Sequence, residues 1–318
     1  MVKFLITVLA GGVGASKFVQ GLSRVIRPEE LIVVVNTGDD IEMFGLHVSP
    51  DVDIMTYTLA GLVDEAKGWG FKGDSFNCLS MLRKYGYETW FKLGDMDLAT
   101  HMHRTLMLKK GLTLSQATSD ISRWLGVKIR VLPMSDDRVR TKVKTESGWI
   151  DFQEYMVKLG TKPKVYEVRF EGIERADPAP GVIEGIRSSE LIIIAPSNPI
   201  VSIGPILALK GVRDALKDVK VIAISPIIGG RTVKGPADRM MKDLGIEATA
   251  KGVAELYHDF LDMMVIDKED YGLKEEIEAM GIKVLVTNTL MKGIEDKVRL
   301  ATEVLEFVGH THTGKGQG

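Results

Sequence analysis

Gly11-Gly12-Val13-Gly14-Ala15-Ser16-Lys17 follows an apolar run at residues 4–9 and precedes Phe18, Val19, Leu22 and Val25 at helical spacing. Glycines at a strand-to-helix turn let the main chain come close to a phosphate. The first N–H groups of the helix and the positive end of its dipole face the same way. Lys17 adds a full charge. The Walker pattern is absent, and Lys17 stands where a dinucleotide fingerprint has its third glycine. Gly11, Gly12, Gly14 and Lys17 are therefore expected to bind an anion or a phosphorylated substrate; a tight structural turn is the plainer reading.

A second apolar run, residues 31–35, ends in Asn36-Thr37-Gly38-Asp39-Asp40. Paired carboxylates suit Mg²⁺, which takes one or two protein oxygens beside substrate phosphates. Asp39 and Asp40 are candidate ligands, with an Asx-rich turn as the alternative. Asp51 and Asp53 open the next helical stretch, where Asp53 is a candidate cap. Lys92, Asp95 and Asp97 form another basic and acidic junction, with Asp97 a candidate cap. Ser197 and Asn198, between Pro196 and Pro199, follow a buried strand. Arg231 and Lys234 follow the next one and offer cations for a diphosphate. His101 and His103 lack the i, i+4 spacing of a helical metal pair, and nothing predicts zinc. Cys78 is expected in or near the core.

These segments need a sheet whose strand ends share one edge. Continuous apolar runs at 4–9, 31–35, 191–195, 219–224, 263–266 and 284–286 predict buried parallel strands. Helical periodicity fits 16–25, 53–63, 75–85, 98–109, 115–125, 252–260, 274–280 and 296–307, with Thr113 or Ser115 capping the fifth. Shorter strands are expected at 88–92, 128–132 and 139–145, and an edge strand at 165–170. The fold class is α/β: a Rossmann-like, doubly wound, mostly parallel sheet with a largely helical insertion. The expected organisation is one domain, 1–308, with its core about 1–50 and 180–308, an insertion about 51–179, and a flexible tail at 309–318. The 67–74 stretch, with Gly68, Gly70, Gly73, Trp69 and Phe71, is a candidate lid or aromatic wall.

The formal net charge of the 318-residue chain is -2, which argues against a broad nucleic-acid-binding surface. One cysteine excludes an internal disulfide and fits a reducing cytoplasm. No apolar run approaches the about 20 residues of a membrane span. The apolar start is read as a strand rather than a signal peptide.

Taken jointly and in order, residues 11–18 (GGVGASKF), 35–40 (VNTGDD), 49–61 (SPDVDIMTYTLAG), 92–101 (KLGDMDLATH), 133–137 (PMSDD), 196–207 (PSNPIVSIGPIL) and 225–241 (SPIIGGRTVKGPADRMM) resemble the CofD family of 2-phospho-L-lactate transferases. The resemblance implies transfer of 2-phospho-L-lactate from lactyl-2-diphospho-5′-guanosine to the deazaflavin FO, giving GMP and the first form of coenzyme F-420. Related members use enolpyruvyl or glyceryl donors. It also implies Mg²⁺, a homodimer and deazaflavin contacts at Asp53 and Lys92. Beside it, our reading of the residues gives Asp53 and Lys17 catalytic roles and makes Asp39, Asp40 and Asp53 the metal set. Gly11, Gly12, Gly14, Lys17, Ser197, Asn198, Arg231 and Lys234 are the donor set. Alanine at Asp53 is expected to lower turnover and leave the fold intact. Two rivals stand: a non-enzymatic nucleotide-sugar-binding regulator of the related gluconeogenesis-factor family, and an NAD-dependent dehydrogenase.

Overall fold

A computed structural model describes residues 4–310. Seven strands form its centre: β1 (Ile6–Ala10), β2 (Leu31–Val35), β3 (Arg130–Pro133), β4 (Leu191–Ile194), β5 (Val221–Ile224), β6 (Met263–Asp267) and β7 (Lys283–Thr287). Their order is β7-β6-β5-β4-β1-β2-β3, and every pairing is parallel. Strands in such a sheet are covered on both faces, which is why they read as unbroken apolar runs. Ile6, Val8, Val33 and Val35 point to one layer, with Phe18, Val19, Leu22, Met55 and Val304. Leu9, Ile32, Val34, Ile192 and Ile194 point to the other, with Val182, Ile186 and Val253.

The order reverses direction at β1, which pairs with β2 on one side and β4 on the other. A doubly wound sheet opens a crevice there, beyond the carboxyl ends of its strands. The turn after β1 and the turn after β4 are its two lips. Helix α1 (Val13–Leu22) begins on the first lip.

The stretch 51–179 is not a separate insertion. It supplies β3 to the sheet edge and Val52 and Met55 of helix α2 (Pro50–Leu59) to the core. Helices α3 (Asn77–Lys84), α4 (Asp95–Lys109) and α5 (Leu114–Trp124) follow. Thr113 caps α5 in a capping box with Gln116. The remainder is antiparallel rather than helical: Arg140–Thr145 lies between Gly148–Asp151 and Glu167–Glu171, so the expected edge strand is found.

The strand expected at 88–92 does not form. Trp90 and Phe91 pack instead, as irregular chain, against the cluster of Ile41, Val48, Leu93 and Leu98. Cys78 is an exposed free thiol on α3 rather than a core residue. The tail expected from 309 lies outside the described residues beyond 310. No helix among the described residues is long and apolar enough to cross a membrane.

Candidate functional site

On the first lip, Gly11 N–H donates to Ser197 Oγ across the crevice at 3.1 Å. A side chain on Gly14 would sit 2.3 Å from the Pro196 carbonyl oxygen, so only glycine lets the two turns approach this closely. A side chain on Gly11 would collide with Ser202, and one on Gly12 would reach Asp51 Oδ1 at 2.8 Å. No side chain caps α1, and its first turn carries no acid. The helix therefore presents its first N–H groups and its positive dipole end at the reversal point.

The donor candidates divide. Gly11, Gly12, Gly14 and Ser197 meet here. Lys17 and Lys234 come from opposite halves of the chain, and partial desolvation followed by the Lys17 ammonium pushes Lys234 below the usual lysine range. Two neighbouring ammonium groups favour an anion between them. Asn198 is committed to its own turn, accepting from Ile200 N–H at 2.9 Å and Val201 N–H at 3.4 Å. Arg231 is exposed and lines an open groove of about 720 Å³ with Gly229, Gly230, Lys242 and Glu247.

The loop after β2 is buried beside the first lip. Asn36 Nδ2 donates to Asp51 Oδ2 at 3.0 Å, and its Oδ1 accepts from Gly38 N–H at 2.8 Å. Asp40 Oδ2 accepts from Ser49 Oγ at 2.8 Å and faces His47 Nε2 at 2.8 Å. Asp39 Oδ1 and Asp40 Oδ1 are buried without a hydrogen-bond partner. Burial, and then the Asp51 carboxylate, raise Asp39 well above the carboxylate range. Asp51 is pushed up to about 7 by burial, with Asp40 adding to it. Crowded carboxylates with free oxygens suit a cation.

Asp53 is placed otherwise. Its Oδ2 accepts from Arg104 Nη1 at 3.1 Å, and its Oδ1 bonds Arg104 Nη2. Arg104 is 1% exposed and also donates to the His47 carbonyl at 3.4 Å. Asp53 is therefore neither a helix cap nor a member of a carboxylate cluster; Ser49 occupies the N-cap position of α2. Among the described residues, no group of three or more His, Cys, Asp or Glu side chains is arranged to hold a metal. Of the expected set Asp39, Asp40 and Asp53, the last stands apart, because Arg104 takes both its oxygens. An alanine at Asp53 would also strand a buried guanidinium, so the expectation that the fold stays intact does not hold.

The Asp53 pair belongs to a buried polar network that the sequence reading missed. His101 Nδ1 lies 3.3 Å from Arg104 Nη1 and 3.6 Å from Asp53 Oδ2. His101 Nε2 faces Asp97 Oδ1 at 3.6 Å, and Tyr57 OH donates to Asp97 Oδ1 at 2.8 Å. Burial lowers His101 to about 4, so the ring is neutral at physiological pH. Burial, and then Asp53, push Asp97 up to about 7. Asp97 does not cap α4: Asp74 does so from outside, accepting from Met96 N–H at 2.9 Å and Asp97 N–H at 3.2 Å. Asp97, His101 and Arg104 share one face of α4 at i, i+4 and i+7, a spacing that does not by itself say that the face is buried.

Asp97 also lines a small closed pocket, too tight to admit a water molecule, with Lys67, Trp69, Phe71, Asp74 and Phe76. Lys92 is exposed on the turn that leads into it. The 67–74 stretch is an aromatic wall: Phe71 stacks on Tyr57 at 4.0 Å between centroids, and Trp69 meets Phe76 edge-on. Gly68, Gly70 and Gly73 all take left-handed backbone there.

The family model described as "2-phospho-L-lactate transferase CofD" matches residues 6–297. A 2-phospho-L-lactate transferase of Methanocaldococcus jannaschii is 44% identical, covering 96% of this chain and 99% of its own. A phosphoenolpyruvate transferase of Streptomyces griseus is 43% identical, covering 95% and 98%. Among solved structures, a UPF0052-family protein from Bacillus halodurans has the same fold, with a TM-score of 0.61 at 16% identity, covering 96% of this chain and 99% of its own.

Proposed function

Since the chain belongs to the CofD family of 2-phospho-L-lactate transferases, we propose that it transfers 2-phospho-L-lactate from lactyl-2-diphospho-5′-guanosine to the ribityl hydroxyl of FO. The products are GMP and the first form of coenzyme F-420. The observation that carries the reading is the reversal-point crevice, where the uncapped α1 N-terminus meets Ser197, while Lys17 lies near enough to Lys234 to lower its pKa. Phosphoryl-type transfer needs alignment and charge neutralisation more than a covalent intermediate. The glycine turn and Ser197 orient the donor, and the two lysines offset charge on its bridging and leaving oxygens. The acceptor is assigned to the side of Lys92 and Asp53, as the family resemblance implies.

Mg²⁺ belongs to the same reading. Asp39 and Asp40, each with a buried free oxygen, and Asp51 beside them are the residues that would hold it, two at a time with donor phosphate oxygens. Bound there, the ion would neutralise phosphate charge. Asp53 is left out because Arg104 takes both its oxygens. A homodimer and a cytoplasmic location complete the proposal. Helix α2 is buried inside the chain, so any interface uses another surface.

The test is a discontinuous assay with FO, the lactyl guanosine diphosphate donor and Mg²⁺, with products separated by chromatography. GMP and phospholactyl deazaflavin are expected in equal amounts, and chelation should abolish both. No product, with FO also failing to bind, would reject the reading.

A further inference from the structure

The chain from Leu62 to Lys72 doubles back on itself. Lys72 N–H donates to the Leu62 carbonyl at 2.8 Å, Asp64 N–H donates to the Gly70 carbonyl at 3.0 Å, and Val63 and Phe71 pair as an antiparallel bridge. The tip of this turn lies across the start of α1. A side chain on Gly68 would meet Val13 Cγ1 at 3.4 Å and Lys234 Nζ at 2.8 Å, so the main chain passes close over the first helical residue. Two tethers hold it there. On one side, Glu65 Oε1 accepts from Gln20 Nε2, farther along α1, at 3.3 Å and from Lys297 Nζ, on the C-terminal helix (Ile294–Phe307), at 3.2 Å. On the other, Lys234 Nζ donates to the Lys67 carbonyl at 2.9 Å. That bond uses one of the three ammonium donors and leaves two for another acceptor.

We propose that residues 64–70 form a strap that positions Lys234 for the donor's diphosphate, with Glu65 as its latch. The inference rests on the donor site of the proposed function. Lys234, held by the Lys67 carbonyl, stands close enough to Lys17 for the two ammonium groups to repel each other. A closed strap without an anion keeps that repulsion. A diphosphate at the α1 N-terminus removes it and adds charge-assisted bonds to the free donors. Strap closure and donor binding therefore favour each other, and the coupling is reciprocal. Glu65 is a positioning residue: it acts on the donor through the strap and Lys234. Its own charge works against an anion, since it lies near enough to Lys17 to feel that ammonium. Removing the carboxylate thus has two opposite effects. Electrostatics alone tightens anion binding, whereas loss of the latch weakens it.

The experiment is a calorimetric titration of GDP into the wild type, Glu65→Ala and Glu65→Gln. Both variants lose the same charge, and only glutamine keeps an oxygen that can accept from Lys297. Glu65→Ala should bind GDP about 5-fold or more weakly than the wild type, and Glu65→Gln should recover most of the loss. Glu65→Ala binding as tightly as the wild type or tighter, or the two variants binding equally, overturns the proposal. The Glu65 side chain is 57% exposed, and Lys297 Nζ keeps Gln20 Oε1 at 2.6 Å, so both variants should fold. Amide hydrogen exchange gives a second readout on the unaltered chain. Saturating GDP should slow exchange at Asp64, Gly68 and Lys72 in the wild type and not in Lys234→Met. Unchanged or faster exchange there, with GDP bound to the wild type, overturns the proposal. No binding of GDP by the wild type would instead reject the donor site of the proposed function, and the strap with it.

Discussion

Arg104 and Asp53 are nearly inaccessible, and their pairing makes single and double substitutions unequal. Arg104→Met leaves a buried carboxylate uncompensated and should cost about 3–5 kcal/mol. Adding Asp53→Asn should recover much of that loss, as read by denaturant unfolding of the two single variants and the double. Additive losses would mean the pair is not coupled. Asp97 gives a pH test. Its folded value, about 7, lies above the unfolded carboxylate value of about 4. Between these values the folded chain binds more protons than the unfolded chain. Its stability therefore falls as pH rises through the window and stays lowered above it. The Tm advantage of Asp97→Asn over the wild type should widen from pH 4 to pH 7; a constant difference would contradict the shift. Several residues of the candidate site stand out in the sequence because glycine, serine and lysine after an apolar run have a direct chemical meaning. Asp53 was visible as an acid. Its partner was not, because nothing in a sequence says that an arginine two helices later turns inward.

Helix α4 shows why that turn was hard to foresee. Its buried side carries Asp97, His101 and Arg104, while Met102 and Leu106 are more than half exposed. Apolar periodicity assigns the inward face to the wrong residues when a polar network occupies the interior. Residues 88–92 failed for a related reason: aromatic and β-branched content makes a strand only where a partner edge is available. The 64–74 segment is tied down near its start. Glu65 bridges Gln20 and the buried Lys297 of the C-terminal helix, and Lys234 Nζ donates to the Lys67 carbonyl at 2.9 Å. Lys234→Met should speed amide hydrogen exchange across 64–74 and leave exchange in β1 and β4 unchanged. Unaltered exchange in the segment would show that Lys234 does not hold it.

Across the whole molecule, the parallel sheet, the reversal of strand order and the lips of the crevice were legible, because burial on both faces writes itself as unbroken apolar runs. The edge strand β3 was seen as a strand but assigned to an insertion. A helix precedes it in sequence and an antiparallel strand follows, and only pairing with β2 brings it into the core. The same topology has a consequence for synthesis. Ile6 of β1 pairs with Leu191 of β4, so one side of the first strand waits for that segment to leave the ribosome. Until then, an apolar strand edge lies open beside β1 and β2, and the crevice has one lip. The nascent chain should therefore depend on chaperones through more than half of its translation and acquire affinity for its donor only late.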